Sequence, residues 1–201
     1  KMDRGTRVIL KLKWDAKEFL QEQRLEEIIY KYSNFIPFPI FIGNSEEQVN
    51  QPLVLWRQSL ETVAKEKYAE FYRQFTFDFE RPLVYEHVVV DSPMAVYAIV
   101  YVPAYSQRSP FSLRKEDGIK LYSGNVLLQE YCKDLLPDYL FFVQGVVDSE
   151  DLPKTSTRQS LQSNHLMINL KKLVTGKVVE MLKRFAADNP DGYTRFWSEY
   201  G

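Results

Sequence analysis

The sequence predicts an α+β fold in which a mixed β-sheet has helices packed against it. Three observations carry this. Runs rich in β-branched and aromatic residues come in pairs around short polar turns, as at residues 83–90 and 94–102 flanking Asp91-Ser92-Pro93, which is the signature of antiparallel hairpins. Other stretches repeat at helical spacing: Tyr68, Phe71, Tyr72 and Phe75 fall at i, i+3, i+4 and i+7, the apolar stripe of an amphipathic helix. Apolar residues make up 45% of the 201 residues and aromatic residues 14%, which supplies a sizeable core and argues against disorder.

Taken in order, residues 6–12 (TRVILKL) read as a first strand. Asp15 with Glu18 three later forms a capping-box signal, and Leu25, Ile28, Ile29 and Tyr32 then recur at helical spacing. Residues 38–42 (FPIFI) read as a second strand closed by Gly43-Asn44, and residues 45–52 as a polar loop. The helix over 62–75 precedes the first hairpin. Residues 119–122 and 126–131 form a second hairpin around Ser123-Gly124-Asn125. Between the hairpins, 104–118 is a long polar and basic loop with one Pro110-Phe111 pair, and loops of that length are often functional. Residues 156–187 form a long helix whose stripe is Leu161, Met167, Leu170, Val174, Val178, Met181 and Phe185. Gly176 sits inside it at a cost of about 1 kcal/mol. Asn189-Pro190-Asp191-Gly192 breaks the helix. Tyr193, Phe196, Trp197 and Tyr200 then begin another, expected to open a following small subdomain. The predicted order is β-α-β-α-β-β-β-β-α-α. It divides into a large α+β part (1–153), a loop and long helix (154–188) and the start of a small helical subdomain (189–201).

Charge and composition exclude several function classes. Lys and Arg number 26 and Asp and Glu 27, a net charge of −1, so no overall basic field recruits nucleic acid or an anionic membrane. No apolar run reaches the roughly 18 residues of a membrane span. A single cysteine, Cys132, excludes an internal disulfide. It reads as a small buried hydrophobe, with a reactive thiol as the alternative. The first residues, Lys-Met-Asp-Arg-Gly, lack a signal-peptide core, and the chain reads as a piece of a longer protein.

There is no Walker A loop, no G-x-G-x-x-G, no paired-cysteine or H-E-x-x-H metal spacing and no G-x-S-x-G elbow. No metal site is expected. Of the two histidines, His87 reads as a packing residue in a strand and His165 as a solvated helix position. A small-molecule enzyme would need a complete site, and none is visible. The one chemically suggestive stretch is 136–162. An apolar, aromatic segment ends at Gly145; three acids in four residues follow (Asp148, Glu150, Asp151), then Pro153, then Thr155, Ser156, Thr157 and Arg158 at a helix start. Free N–H groups and the helix dipole favour an anion there. A cation in the first turn needs a negative partner, and Gln162 lies one turn on. Arginine, hydroxyls and N–H groups suit a phosphate. Local pairing of Arg158 with Asp148, Glu150 or Asp151 is the competing reading.

Several blocks resemble one family. Gly5-Thr6-Arg7-Val8-Ile9-Leu10, Lys31-Tyr32-Ser33-Asn34-Phe35, Phe38-Pro39-Ile40, Leu55-Trp56-Arg57, Tyr68-Ala69-Glu70-Phe71-Tyr72 and Ile119-Lys120-Leu121-Tyr122-Ser123 all match, and so, most specifically, does Gly145-Val146-Val147-Asp148-Ser149-Glu150-Asp151-Leu152-Pro153. Across its whole length the chain resembles the middle segment of the ninety-kilodalton heat-shock chaperones, bacterial and mitochondrial members included.

The resemblance implies an α/β/α sandwich and a split ATP site, with ATP and Mg held by a separate N-terminal domain. From the middle segment it implies Arg158 reaching the γ-phosphate with Gln162 beside it, and Thr155 and Thr157 as further phosphate-side contacts. Such an arginine stabilises phosphoryl-transfer charge. Trp56 is implied on a client or docking surface and Phe111 in a loop facing the N-terminal domain. The partners implied are client proteins, the N-terminal ATPase domain of the same chain, co-chaperones, and a second copy through a C-terminal domain. The setting implied is the bacterial cytoplasm or an organelle such as the mitochondrion, without secretion, and the segment alone is expected to have no activity. The family's asparagine, serine and glutamate near the arginine stand here as Thr155, Thr157 and Gln159. Those departures motivate an alternative, a client-binding module whose ATPase is slow or lost.

Overall fold

A computed structural model describes residues 4–51, 54–106, 118–153 and 165–201. Five strands form one mixed sheet: β1 (Val84–Val90), β2 (Val96–Val102), β3 (Ile119–Ser123), β4 (Val126–Gln129) and β5 (Gln144–Asp148). Their order across the sheet is β1-β2-β5-β3-β4. β3 runs parallel to β5, and the remaining pairs are antiparallel. The helices are α1 (Glu22–Ile28), α2 (Lys65–Thr76), α3 (His165–Asp188) and α4 (Pro190–Tyr200).

Period-two alternation of side chains explains why the sheet is covered on both faces. From β2, Val96, Ala98, Val100 and Val102 enter one core, with Ile119 and Leu121 of β3, Val147 of β5 and the stripe of α3. Ile99 and Tyr101 of β2, Tyr122 of β3 and Val146 of β5 enter the opposite core, with Trp56 and Tyr68, Tyr72 and Phe75 of α2. The result is the α/β/α sandwich. The stripe expected on α3 is the one buried: Met167, Leu170, Val174, Val178, Met181 and Phe185, while Leu161 lies outside the described residues. Both predicted hairpins form, and Gly124 and Asn125 adopt positive φ at the β3–β4 turn, as a two-residue turn matched to strand twist requires.

Three expectations are corrected. Residues 6–12 form no strand among the described residues; Val8, Ile9 and Leu10 stand 77%, 79% and 76% exposed, and a strand without a hydrogen-bonded neighbour has nothing to hold it. Residues 38–42 are not a strand either. Part of their backbone bonding goes to a side chain, since Asn50 accepts from the Ile40 N–H (2.7 Å) and donates to the carbonyls of Phe38 (2.9 Å) and, just before them, Ile36 (3.2 Å). The rest closes local turns, with the Ile40 carbonyl accepting from the Val49 N–H and that of Ile42 from the Ser45 N–H. The capping-box signal at Asp15 and Glu18 yields a 3₁₀ turn, Trp14–Leu20, with no side-chain cap. Glu18 instead accepts from Arg24.

One strand went unpredicted. β5 follows a 3₁₀ turn at Asp138–Leu140 and holds the centre of the sheet, where Gly145 seemed only to end an apolar run. That glycine is required by contact. Its φ is +148°, and a Cβ there would lie 2.1 Å from the Ile99 carbonyl oxygen of β2. α4, expected to open a following subdomain, packs Phe196 into the same core as α3. Its Tyr200 hydroxyl donates to the Pro103 carbonyl at 3.1 Å. Asn189 caps it through the Gly192 N–H at 3.0 Å, with Pro190 at the first helical position, where a missing N–H costs nothing.

Candidate functional site

The end of β5 leads toward the stretch on which the sequence places its candidate chemistry. Asp148, the last residue of that strand, exposes none of its side chain, so its charge must be met by donors. Its Oδ2 accepts from Trp56 Nε1 at 3.1 Å, Arg57 Nε at 2.9 Å and the Asn125 N–H at 3.2 Å. Trp56 and Arg57 come from a single 3₁₀ turn, Leu55–Arg57, 92 and 91 residues earlier in the chain. The turn presents the indole and the guanidinium side by side. Arg57 also pairs through Nη1 with Glu150 and stacks over the Tyr97 ring, 4.6 Å from its centroid. Burial pulls the Arg57 pKa down, but the hydrogen bond to Glu150 and the charge of Asp148 outweigh it, and the net shift is upward. The guanidinium is held as a cation.

Beyond Asp148 the chain is tied to the sheet at each step. The Ser149 N–H donates to the Tyr122 carbonyl at 3.2 Å. Asp151 accepts from the Ala95 N–H at 2.9 Å. The Leu152 carbonyl accepts from the Ser123 hydroxyl, and the Leu152 side chain is buried. The described chain up to Pro153 is therefore a root with little freedom. Next to that root a groove of about 740 Å³ is lined by Pro93, Met94 and Asp151 on one side and Asn169, Lys172 and Lys177 of α3 on the other.

Arg158, Gln162, Thr155 and Thr157 lie outside the described residues, as does Phe111. Trp56 is described, and it corrects the surface expectation: its side chain is fully enclosed. Its ring packs edge-on to Phe35 (4.7 Å) and against Tyr122 (5.2 Å), and its N–H points inward to Asp148. His87 is buried below it. Its Nε2 meets the Trp56 carbonyl at 3.1 Å and its Nδ1 the Tyr68 hydroxyl at 2.8 Å. A carbonyl only accepts, so Nε2 carries the proton and Nδ1 accepts from the tyrosine. Burial lowers the His87 pKa, with the Trp56 carbonyl partly opposing it, so the ring is neutral at pH 7. Cys132 is buried, as a small hydrophobe would be. His165 is exposed at the start of α3. Among the described residues no cluster of three or more His, Cys, Asp or Glu could hold a metal, and no helix is long and apolar enough to cross a membrane.

Sequence reasoning singled out the acids of this root but assigned no role to Arg57. Only the contact between distant segments reveals it.

The model of the Hsp90 protein family matches residues 43–201 of this chain. The chain belongs to the Hsp90 family. Its sequence corresponds to the family's middle-domain region, and three bacterial relatives illustrate the match. It is 42% identical over 198 residues to the chaperone protein HtpG of Nitratidesulfovibrio vulgaris, covering 98% of this chain and 31% of the relative. Identity is 39% over 207 residues to HtpG of Chlorobium phaeobacteroides (100% and 32%) and 36% over 214 residues to HtpG of Vibrio cholerae (100% and 34%). The chain thus spans about a third of the length of the curated relatives it matches. The block Gly145–Pro153 that carried the resemblance is, in this Hsp90 segment, the central strand β5 and the tied-down root that leaves it.

Proposed function

We propose that this chain is the middle segment of an ATP-dependent molecular chaperone, docking on a separate N-terminal domain of the same protein that holds ATP and Mg. In this reading Arg158 reaches the γ-phosphate, where a guanidinium offsets the charge of the transferring group. Gln162 lies beside it, and Thr155 and Thr157 contribute hydroxyls on the phosphate side. The observation that carries the reading is the Hsp90 match together with the rigid root at 149–153, which delivers the chain to residue 154 from a fixed point. A group that must reach into another domain needs such an anchor. Alone the segment lacks the nucleotide and hydrolyses nothing. Clients and co-chaperones bind the assembled protein, which pairs with a second copy through a C-terminal domain. Phe111 faces the nucleotide domain, and Trp56 serves the docking surface from beneath by fixing the turn that carries it. The setting is the cytoplasm of a bacterial-type cell.

The experiment is ATP turnover by the full-length protein with and without Arg158→Ala. The expected loss is at least about 100-fold in kcat, the lower end for removal of a group that meets transition-state charge. Unchanged turnover overturns the role given to Arg158. A wild-type protein that binds clients but shows no hydrolysis would instead support the slow or lost ATPase that Thr155 and Gln159 motivate.

A further inference from the structure

The groove beside the root holds a residue that the fold itself does not use. It measures about 740 Å³ and is floored by Pro93, Met94, Leu166 and Leu173, and Gly176 lines it from the side of α3. Gly176 stands inside a 24-residue helix, where glycine is weaker than alanine. Nothing within the molecule requires it there, because a Cβ at Gly176 meets no atom within 4 Å. Gly145 is the contrast, since its Cβ would strike the backbone of β2. The side chain missing at Gly176 leaves room only on the outside of the helix, the arrangement that lets another backbone approach closely.

Charge says what approaches. α3 carries Lys171, Lys172, Lys177, Lys183 and Arg184 against Glu180 and Asp188, an excess of cations in a chain whose net charge is −1. The acids on the rim of the groove are engaged: Asp151 accepts from the Ala95 N–H at 2.9 Å, and Glu180 pairs with Lys177 at 2.9 Å. Lys172 has no carboxylate partner among the described residues. It shares one helix row with Ile168, a turn before it, and Gly176, a turn after it, and Ile168 is 57% exposed. An apolar floor with an unpaired cation on its rim suits a segment that carries aliphatic side chains and carboxylates together. A nucleic acid or a free phosphate has nothing to set on Met94 and Leu173.

We propose that this groove is the seat of a partner protein. An acidic segment of that partner rests its aliphatic side chains on Met94 and Leu173, passes its backbone over Gly176 and meets Lys172 with a carboxylate. The proposal goes beyond the reading above and needs neither Arg158 nor bound nucleotide.

The test uses the full-length protein without nucleotide and a fluorescent synthetic peptide of repeated Glu-Glu-Leu-Leu, followed by anisotropy. The peptide binds, and more weakly as salt is raised. Lys172→Glu lowers affinity about tenfold or more, because repulsion replaces attraction. Gly176→Leu fills the groove and lowers it at least as far. Gly176→Ala separates docking from folding: it raises the melting temperature, since alanine favours the helix, yet weakens binding. A glycine with only a structural role would not move those two readings in opposite senses. Peptides with Lys in place of Glu, or Ser in place of Leu, bind at least about tenfold more weakly. Four results overturn the proposal. The first is no binding of the acidic peptide. The second is equal binding by wild type, Lys172→Glu and Gly176→Leu. The third is equal binding of the Ser peptide, which reduces the site to ion exchange. The fourth is a Gly176→Leu protein that keeps peptide binding but changes its subunit dissociation or basal ATP turnover, which gives the groove to a second copy or to the N-terminal domain.

Discussion

The two faces of the sheet are built from different chemistry. Against α3 and α4 the core is aliphatic, with Val, Leu, Ile and Met dominating and Phe142, Phe185 and Phe196 at one end. Against α2 it is aromatic and hydrogen-bonded. Tyr68, Tyr72, Tyr101, Trp56 and Tyr122 pack there. The Tyr101 hydroxyl donates to the Tyr68 carbonyl at 2.9 Å and that of Tyr72 to Asp78 at 2.9 Å. Burial drives the pKa of Tyr72, Tyr101 and Tyr122 upward, so these hydroxyls stay protonated donors. Dispersion and water exclusion are non-directional, whereas a hydrogen bond fixes distance and angle. The aliphatic face, which also takes in Leu152 of the root, supplies stability, and the aromatic face supplies position around Asp148.

The comparison is broken most forcefully from the aliphatic side. Leu170→Ala, at a residue with no exposed surface, removes buried methyl groups and leaves a cavity. The expected loss in denaturant unfolding is about 2–5 kcal/mol, with the local hydrogen exchange of the Ser149 amide, bonded to the Tyr122 carbonyl, otherwise unchanged. A loss under about 1 kcal/mol would show that α3 is not the stabilising layer. Trp56→Phe acts on the other face. It keeps an aromatic ring but deletes the Nε1 donor to Asp148, and should cost about 1–3 kcal/mol while loosening the root. Equal effects of the two variants on exchange at the Ser149 amide would dissolve the distinction.

The smallest effect is the pH response of the aromatic face. His87 binds its proton less readily when folded than its ordinary value of 6.5, so the unfolded chain takes up more protons as pH falls below that value. Stability contributed by neutral His87 is present above pH 6.5 and is lost as pH drops from there toward the lower folded value. The wild-type protein should therefore weaken over this window more than His87→Gln, measured as the difference between their unfolding midpoints. Parallel curves would mean that His87 does not titrate on unfolding.

Legibility followed the range of the interaction. The stripe of α3 and both hairpins could be read directly because spacing along the chain reports which face is buried. The expectation that residues 154–162 meet an anion comes from residue type alone and falls outside the described residues. Residues 6–12 and 38–42 misled, because β-propensity describes a side chain's fit to a pleated surface and not whether a partner strand exists. In the second case Asn50 and local turns supply the bonds a strand would have made. β5 was hidden because Gly145, normally a breaker, is needed where β2 passes closest.

The sequence by itself determined the fold class, the helical stripe, the family and the candidate role of Arg158. These rest on local periodicity and on residue blocks that survive without knowledge of contacts. Only the tertiary structure decided that Trp56 is buried, that β5 occupies the sheet's centre and that Arg57 grips Asp148 and Glu150. Those depend on which distant segments meet; the Trp56 and Arg57 contacts span 92 and 91 residues of chain, and burial of Asp148's charge is what requires donors there.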